Sequence, residues 1–129
     1  MINVKVVTPL GPYKELETPI LNIGSVDGQR GLLPNHMPTV FMLAVSKMET
    51  EENGVRKDYA IGGGMLYFRD NVATVLVNSI ESKEDIDKAR ALSAKERAER
   101  RLAAKEPNLD IKRAQLALSK ALNRIKVAG

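Results

Sequence analysis

Asp87, Arg90, Ala91, Ala94, Arg97, Ala98 and Arg101 follow one another at helical spacings. At 100° per residue they fall within about 120° of one another, a row of arginines set between alanines with one carboxylate at its N-terminal end. Guanidinium groups bind phosphate bidentately, a carboxylate accepts from ribose or base donors, and alanine leaves room for a planar group to approach. A comparable row, Arg113, Ala117, Lys120 and Arg124, follows at spacings of four, three and four. The chemistry on offer is recognition of a phosphate-bearing anion. The same residues also suit a solvated helix face with intrahelical pairs such as Glu96 with Arg100, so residue chemistry alone leaves both readings open.

Other candidates are weaker. Gly62-Gly63-Gly64 is followed by Met65-Leu66-Tyr67-Phe68, whereas a phosphate loop needs Lys and Ser or Thr after its last glycine at the opening of a helix. A glycine-lined bend between strands, or a place of close backbone approach, is the better reading. His36 stands between Pro34 and Pro38 in a chain with no cysteine and no second histidine. It therefore has no partner for nucleophilic catalysis and cannot assemble a histidine metal site. No catalytic residue and no metal site are expected.

The elements that must position these residues divide near residue 81. Before it, Ile2, Val4 and Val6 alternate with polar residues, and further β-type runs are Ile20 to Ile23, Val40 to Val45, Val55 to Ile61, Met65 to Arg69 and Val72 to Val77. Glycine and Asx residues separate them, as in a small antiparallel sandwich or barrel. Ser82 with Asp85 resembles a capping box, which predicts a helix from Ser82 to about Lys105, broken at Pro107. Asn108 is the expected cap of a second helix whose inward face would be Ile111, Ala114, Leu118, Leu122 and Ile125. So short a connection makes the helices antiparallel. The expected fold is α+β: residues 1–81 a β-sandwich and residues 82–129 a two-helix hairpin. Its alanine-rich interface buries little apolar area, so its docking should respond to a ligand or partner.

Charge follows the same division. Residues 1–80 carry 7 Lys and Arg against 8 Asp and Glu, and residues 81–129 carry 13 against 8. The basic excess suggests that the second part meets something anionic. A nucleic-acid-binding module with a basic helical tail is one alternative, but only Tyr59, Tyr67 and Phe68 cluster among five aromatics, too few for stacking platforms. No apolar run approaches the ~20 residues of a membrane span, and the N-terminus lacks the pattern of a signal peptide. No direct membrane insertion is expected.

Longer stretches carry a resemblance. Asp27-Gly28-Gln29-Arg30-Gly31-Leu32-Leu33-Pro34-Asn35-His36-Met37-Pro38, then Ile61-Gly62-Gly63-Gly64-Met65-Leu66, then Val72-Ala73-Thr74-Val75-Leu76, then Asp85 to Ala91 and Ala94 to Leu102 resemble, in order, the epsilon subunits of F-type ATP synthases. The resemblance implies a non-catalytic rotor subunit with a ten-stranded β-sandwich. That sandwich would pack on the gamma subunit and touch the c-ring near Gln29, Arg30 and His36, where many members carry an acidic residue in place of Gln29-Arg30. It also implies a hairpin that lies folded or extends into the catalytic head, where a basic face of Arg97, Arg101, Arg113 and Lys120 would meet an acidic segment of the catalytic β subunits and inhibit ATP hydrolysis. Ile86-Asp87-Lys88-Ala89-Arg90-Ala91 matches the ATP-binding motif [IL]-D-x-x-R-A of some bacterial members. Glu81, Arg97, Lys120 and Arg124 match further positions of that site, with Lys120 standing where arginine is usual. ATP would be a regulatory ligand rather than a required cofactor. The implied location is peripheral, on the cytoplasmic face of the bacterial plasma membrane.

Overall fold

A computed structural model of the chain describes residues 1–104 and 108–129. They form two compact units, Met1–Lys83 and Glu84–Gly129.

The first unit holds eight strands: β1 (Ile2–Thr8), β2 (Gly11–Thr18), β3 (Leu21–Ser25), β4 (Gly28–Leu32), β5 (Thr39–Glu52), β6 (Val55–Arg69), β7 (Val72–Val77) and β8 (Ile80–Ser82). Their order in the sheet is β2-β1-β7-β6-β5-β3-β4, with β8 also on β6. Alternation places Ile2, Val4 and Val6 of β1 inside, where each is 1% exposed or less. They join Leu21, Ile23, Leu66, Phe68 and Val75 in one core, and each such side chain contributes roughly 2 kcal/mol of hydrophobic stabilisation. Among the described residues there are eight strands rather than ten. β5 and β6, of 14 and 15 residues, are each long enough to serve both layers of a sandwich. Counting their arms separately gives the expected ten.

The fused strands explain the glycine run. Met42↔Met65 and Leu43↔Gly64 pairing resumes at Val45↔Gly62, so β6 bends through Gly63 and Gly64 without ending. Gly64 has φ +147 and a Cβ there would collide with the carbonyl oxygen of Leu76. The tight hairpin between β5 and β6 uses Asn53 (φ 54) and Gly54 (φ 78), a pair suited to the left-handed region. A second departure from the expected sheet is that β1 pairs with β7 in parallel, from Asn3↔Val72 to Val7↔Leu76. Side-chain alternation has period 2 in either strand direction, so the pattern carried no information on this point.

A 3₁₀ turn (Lys83–Asp85) crosses the division into the second unit, which contains α1 (Lys88–Ala104) and α2 (Ile111–Ala128), with the helices packed on each other as a hairpin. Two expected caps move. Ser82 ends β8, paired with Tyr59, and Asp87 caps α1 instead, its Oδ1 accepting the Arg90 N–H at 3.0 Å. Asn108 precedes α2, but the cap is Asp110, whose Oδ1 accepts the Arg113 N–H at 3.1 Å. Asp110 adjoins the first helical residue, from where its side chain reaches the third N–H of the helix, whereas Asn108 stands two residues too early. The expected stop near Lys105 and break at Pro107 lie outside the described residues. The helix interface is built on Ala91 and Ala98 of α1 and on Ala114 and Ala121 of α2, all 5% exposed or less. Ile111 and Leu122, expected inside, are 57% and 45% exposed. Close alanine packing narrows the seam, and residues at its margins stay outside.

Candidate functional site

The basic residues of the hairpin lie at the side of this alanine seam. Taking Ala91 and Ala98 as the inward direction of α1, Arg90, Arg97 and Arg101 sit about 80–120° to one side of it. Arg113, Lys120 and Arg124 sit at the same offset from Ala114 and Ala121 on α2. In an antiparallel pair, equal offsets bring both rows to one face. Arg90, Arg97, Arg101 and Arg113 are exposed there, while Lys120 and Arg124 are half-buried.

This equivalence has a source in the sequence that residue-by-residue reading missed. Residues 87–102 and 110–125 repeat at an offset of 23: Asp87 and Asp110, Arg90 and Arg113, Ala91 and Ala114, Ala94 and Ala117, Arg97 and Lys120, Ala98 and Ala121, Arg101 and Arg124, Leu102 and Ile125. A search for internal periods would have found it. Each repeat opens on Asp-x-x-Arg-Ala, with the Asp side chain on the Arg N–H and the Asp carbonyl on the Ala N–H at 3.0 Å in both copies.

Of the other residues expected in the nucleotide site, Ile86 is half-buried just before α1. Glu81 belongs to the first unit, on β8 opposite Ala60.

The three residues expected near the ring lie in the first unit. Gln29 and Arg30 are exposed on β4, and the Arg30 guanidinium stands 5.3 Å from the centre of the Phe41 ring. His36 is exposed, meets Phe68 edge-on at 6.0 Å and has Nδ1 2.9 Å from the Met37 carbonyl oxygen. Its loop is tied to the β6–β7 turn by Asn35 and Asn71: the Asn35 N–H donates to Asn71 Oδ1 at 2.6 Å and Asn71 Nδ2 donates to Asn35 Oδ1 at 3.0 Å. Both asparagines adopt positive φ, which Asn tolerates better than most residues.

Sequence reading also missed an apolar outer face. Val40 pairs with Tyr67, Met42 with Met65 and Met65 with Leu76, so these side chains lie side by side. Val40, Met42, Tyr67 and Leu76 are 40–58% exposed. The signal was the run Val40-Phe41-Met42-Leu43, whose apolar residues cannot all point inward from a strand.

The perturbed titrating groups lie elsewhere, where β2 meets the end of the β5–β6 hairpin. Lys14 Nζ reaches Glu52 Oε1 at 2.7 Å and donates to Tyr59 Oη at 2.9 Å. Tyr59 Oη and Thr50 Oγ1 both donate to Glu52 Oε2 at 2.6 Å. Burial pushes the Glu52 carboxyl up, but the hydrogen bonds from Lys14, Thr50 and Tyr59 together bring it below the usual carboxylate range. Hydrogen bonding to Glu52 raises Lys14, and burial, helped by Glu52, pushes Tyr59 up to about 12. This cluster is a structural latch. Among the described residues no group of three or more His, Cys, Asp or Glu could hold a metal ion, and no described helix is long and apolar enough to cross a membrane.

Both units match known proteins. Residues 1–83 match the family of ATP synthase delta/epsilon chain β-sandwich domains, and residues 84–129 the family of ATP synthase delta/epsilon chain long α-helix domains. The chain is 39% identical to the ATP synthase epsilon chain of Bacillus licheniformis, covering 98% of this chain and 97% of that one. It is 43% identical to the epsilon chain of Bacillus cytotoxicus, over 97% and 94%. Among solved structures, a chain of the Euglena gracilis mitochondrial ATP synthase shares the fold, with TM-score 0.81 at 23% identity over 95% of this chain and 78% of that one.

Proposed function

We propose, from the premise that the chain belongs to the ATP synthase delta/epsilon chain family and is a non-catalytic subunit of that synthase, that it joins the rotor through its sandwich and regulates ATP hydrolysis through its hairpin. The observation that carries this reading is the division of exposed chemistry between the units: an apolar sheet face on one and a row of cations, with Arg90, Arg97, Arg101 and Arg113 exposed, on the other.

The face of Val40, Met42, Tyr67 and Leu76 suits a large apolar partner, here the gamma subunit. Burying such a face would supply ~25 cal/mol per Å² of apolar surface. Arg30 on β4 and the loop of His36, the latter stiffened by the Asn35–Asn71 pair, are the surface offered to the c-ring. These contacts would hold the protein at the membrane periphery, on the cytoplasmic face in a bacterium.

In the hairpin, Arg90, Arg97 and Arg124, with Lys120, are the arms for the phosphates of ATP, with Asp87 at the helix start. Both helices contribute, so ATP favours the packed pair, by about 2.7 kcal/mol at a hundredfold excess over Kd. When the hairpin opens, Arg97, Arg101, Arg113 and Lys120 become the face for an acidic segment of the catalytic β subunits. The test is reconstitution. Tyr67→Glu with Met42→Glu should abolish capture by purified gamma subunit, while Arg101→Ala with Arg113→Ala should relieve inhibition of hydrolysis at low salt and leave capture intact. Capture by the sheet-face variant, or full inhibition by the arginine variant, would overturn the corresponding half.

A further inference from the structure

We infer that Leu10 is an apolar anchor that enters a pocket on the partner covering the sheet face; this rests on the reading of that partner as the gamma subunit and adds a contact outside the sheet. Leu10 is 100% exposed at the turn between β1 and β2. Thr8-Pro9-Leu10-Gly11 follows the turn pattern x-Pro-Asp-Gly, with leucine where turn chemistry favours aspartate. Local restraints hold that leucine outward. Thr8 Oγ1 accepts the Leu10 N–H and donates to the Gly11 carbonyl oxygen, both at 3.2 Å, while Pro9 and Pro12 each fix a φ and Gly11 takes φ +114. A turn so restrained presents its side chain already in place, so docking it requires little further ordering.

The level of this turn on the sheet is the second observation. Val7 pairs with Leu76, Leu76 with Met65 and Met65 with Met42, and residues paired across strands share a face. Val6, Val75 and Val77 are buried, which puts Val7 and Leu76 on the outer side. One apolar row therefore crosses β1, β7, β6 and β5, about 14 Å at the usual strand spacing. On β1 it is the row nearest the turn, and it continues onto β2 at Tyr13, 41% exposed where the register shifts between Val6 and Val7. Away from the turn these two strands become polar, with Lys5 opposite Glu15 and Asn3 opposite Glu17. A partner that covers Met42 and Leu76 and follows the apolar row across β1 meets Leu10 three residues beyond Val7.

Titration of the full-length protein with purified gamma subunit, followed by fluorescence anisotropy, tests the anchor. Leu10→Ala should weaken binding about tenfold and Leu10→Asp about a hundredfold, first through lost apolar burial and then through a charge placed in an apolar pocket. Leu10→Met should stay within about twofold of wild type. Since the side chain is in water in the free protein and aspartate suits the turn, Leu10→Asp should melt no lower than wild type. Val55→Asp, 55% exposed at the start of β6 and off the apolar row, should bind as wild type. Wild-type affinity in Leu10→Asp, together with loss in the variant carrying Met42→Glu and Tyr67→Glu, would overturn the inference and leave the sheet-face reading standing. Binding by that sheet-face variant would overturn the reading and the inference with it. An equal loss in Val55→Asp would make the effect one of net charge and overturn the anchor. Self-association that Leu10→Asp abolishes while gamma affinity is unchanged would assign Leu10 to a second copy of the chain and overturn the inference as well.

Discussion

Single residues in this protein act mostly through one or two short bonds, and the Glu52 latch shows the consequence most directly. Its side chain is only 12% exposed, and its carboxyl receives donors from Lys14, Tyr59 and Thr50. With its folded pKa lowered, Glu52 contributes stability that is present above the unfolded carboxyl value of about 4.3 and is lost as pH falls through the folded one. Tyr59 and Lys14 are raised, so their contributions are complete below about pH 10 and disappear as pH climbs toward 12 and beyond. The expected outcome is a melting temperature with a plateau at neutral pH and a fall on both sides. Glu52→Gln should melt lower at pH 7 and show a flatter acid limb. Parallel acid limbs for mutant and wild type would rule out the latch as their source. Gly64→Ala should cost more than 2 kcal/mol in chemical denaturation, since it meets both an unfavourable φ and the Leu76 carbonyl.

At the scale of elements, the hairpin is a balance between a thin seam and two strong caps. Alanines at 91, 98, 114 and 121 let the helix backbones approach but bury little area. Ala98→Leu should separate the helices and destabilise the hairpin by about 1–3 kcal/mol, read as an earlier loss of helical circular dichroism on heating. If Ala98→Leu instead stabilises it, the seam is underpacked rather than close. Asp110→Ala should lower helix content by an amount worth about 1 kcal/mol, and Asp110→Asn should restore it. The 23-residue repeat makes this second cap the counterpart of the first. Its loss should reorient Arg113 on the inhibitory face while leaving Arg90 in place.

For the whole molecule, the division between Lys83 and Glu84 places β8 with the sheet, where Ser82 pairs with Tyr59 and Glu81 with Ala60. A chain ending at Lys83 should fold cooperatively, keep its strand signature and still bind the gamma subunit. One ending at Ser79 loses the β6–β8 pairing and should be less stable in urea. Equal midpoints for the two truncations would show that β8 is not part of the sheet's cooperative unit. Inhibition of hydrolysis should be absent from both.

Local pattern was enough to determine the break from strands to helices, the helical periodicity of the cations and the inward residues of β1, because alternation and turn chemistry act within a few residues. The ordered motifs from Asp27 to Leu102 were enough to identify the family. Tertiary structure decided what depends on distant partners. The parallel β1–β7 pair joins Asn3 to Val72, and no local period encodes strand direction. Gly62 to Gly64 became a bend inside β6 because the facing strand β5 continues past it. The α2 interface turned on Ala121 rather than Leu122 because the approach of α1, not hydrophobicity alone, determines which side chains lose contact with water. The helical spacing placed Asp87 at the head of the basic row, but only the folded first turn shows its Oδ1 holding the Arg90 amide. A side chain's role is set by the nearest competing partner, and folding chooses that partner.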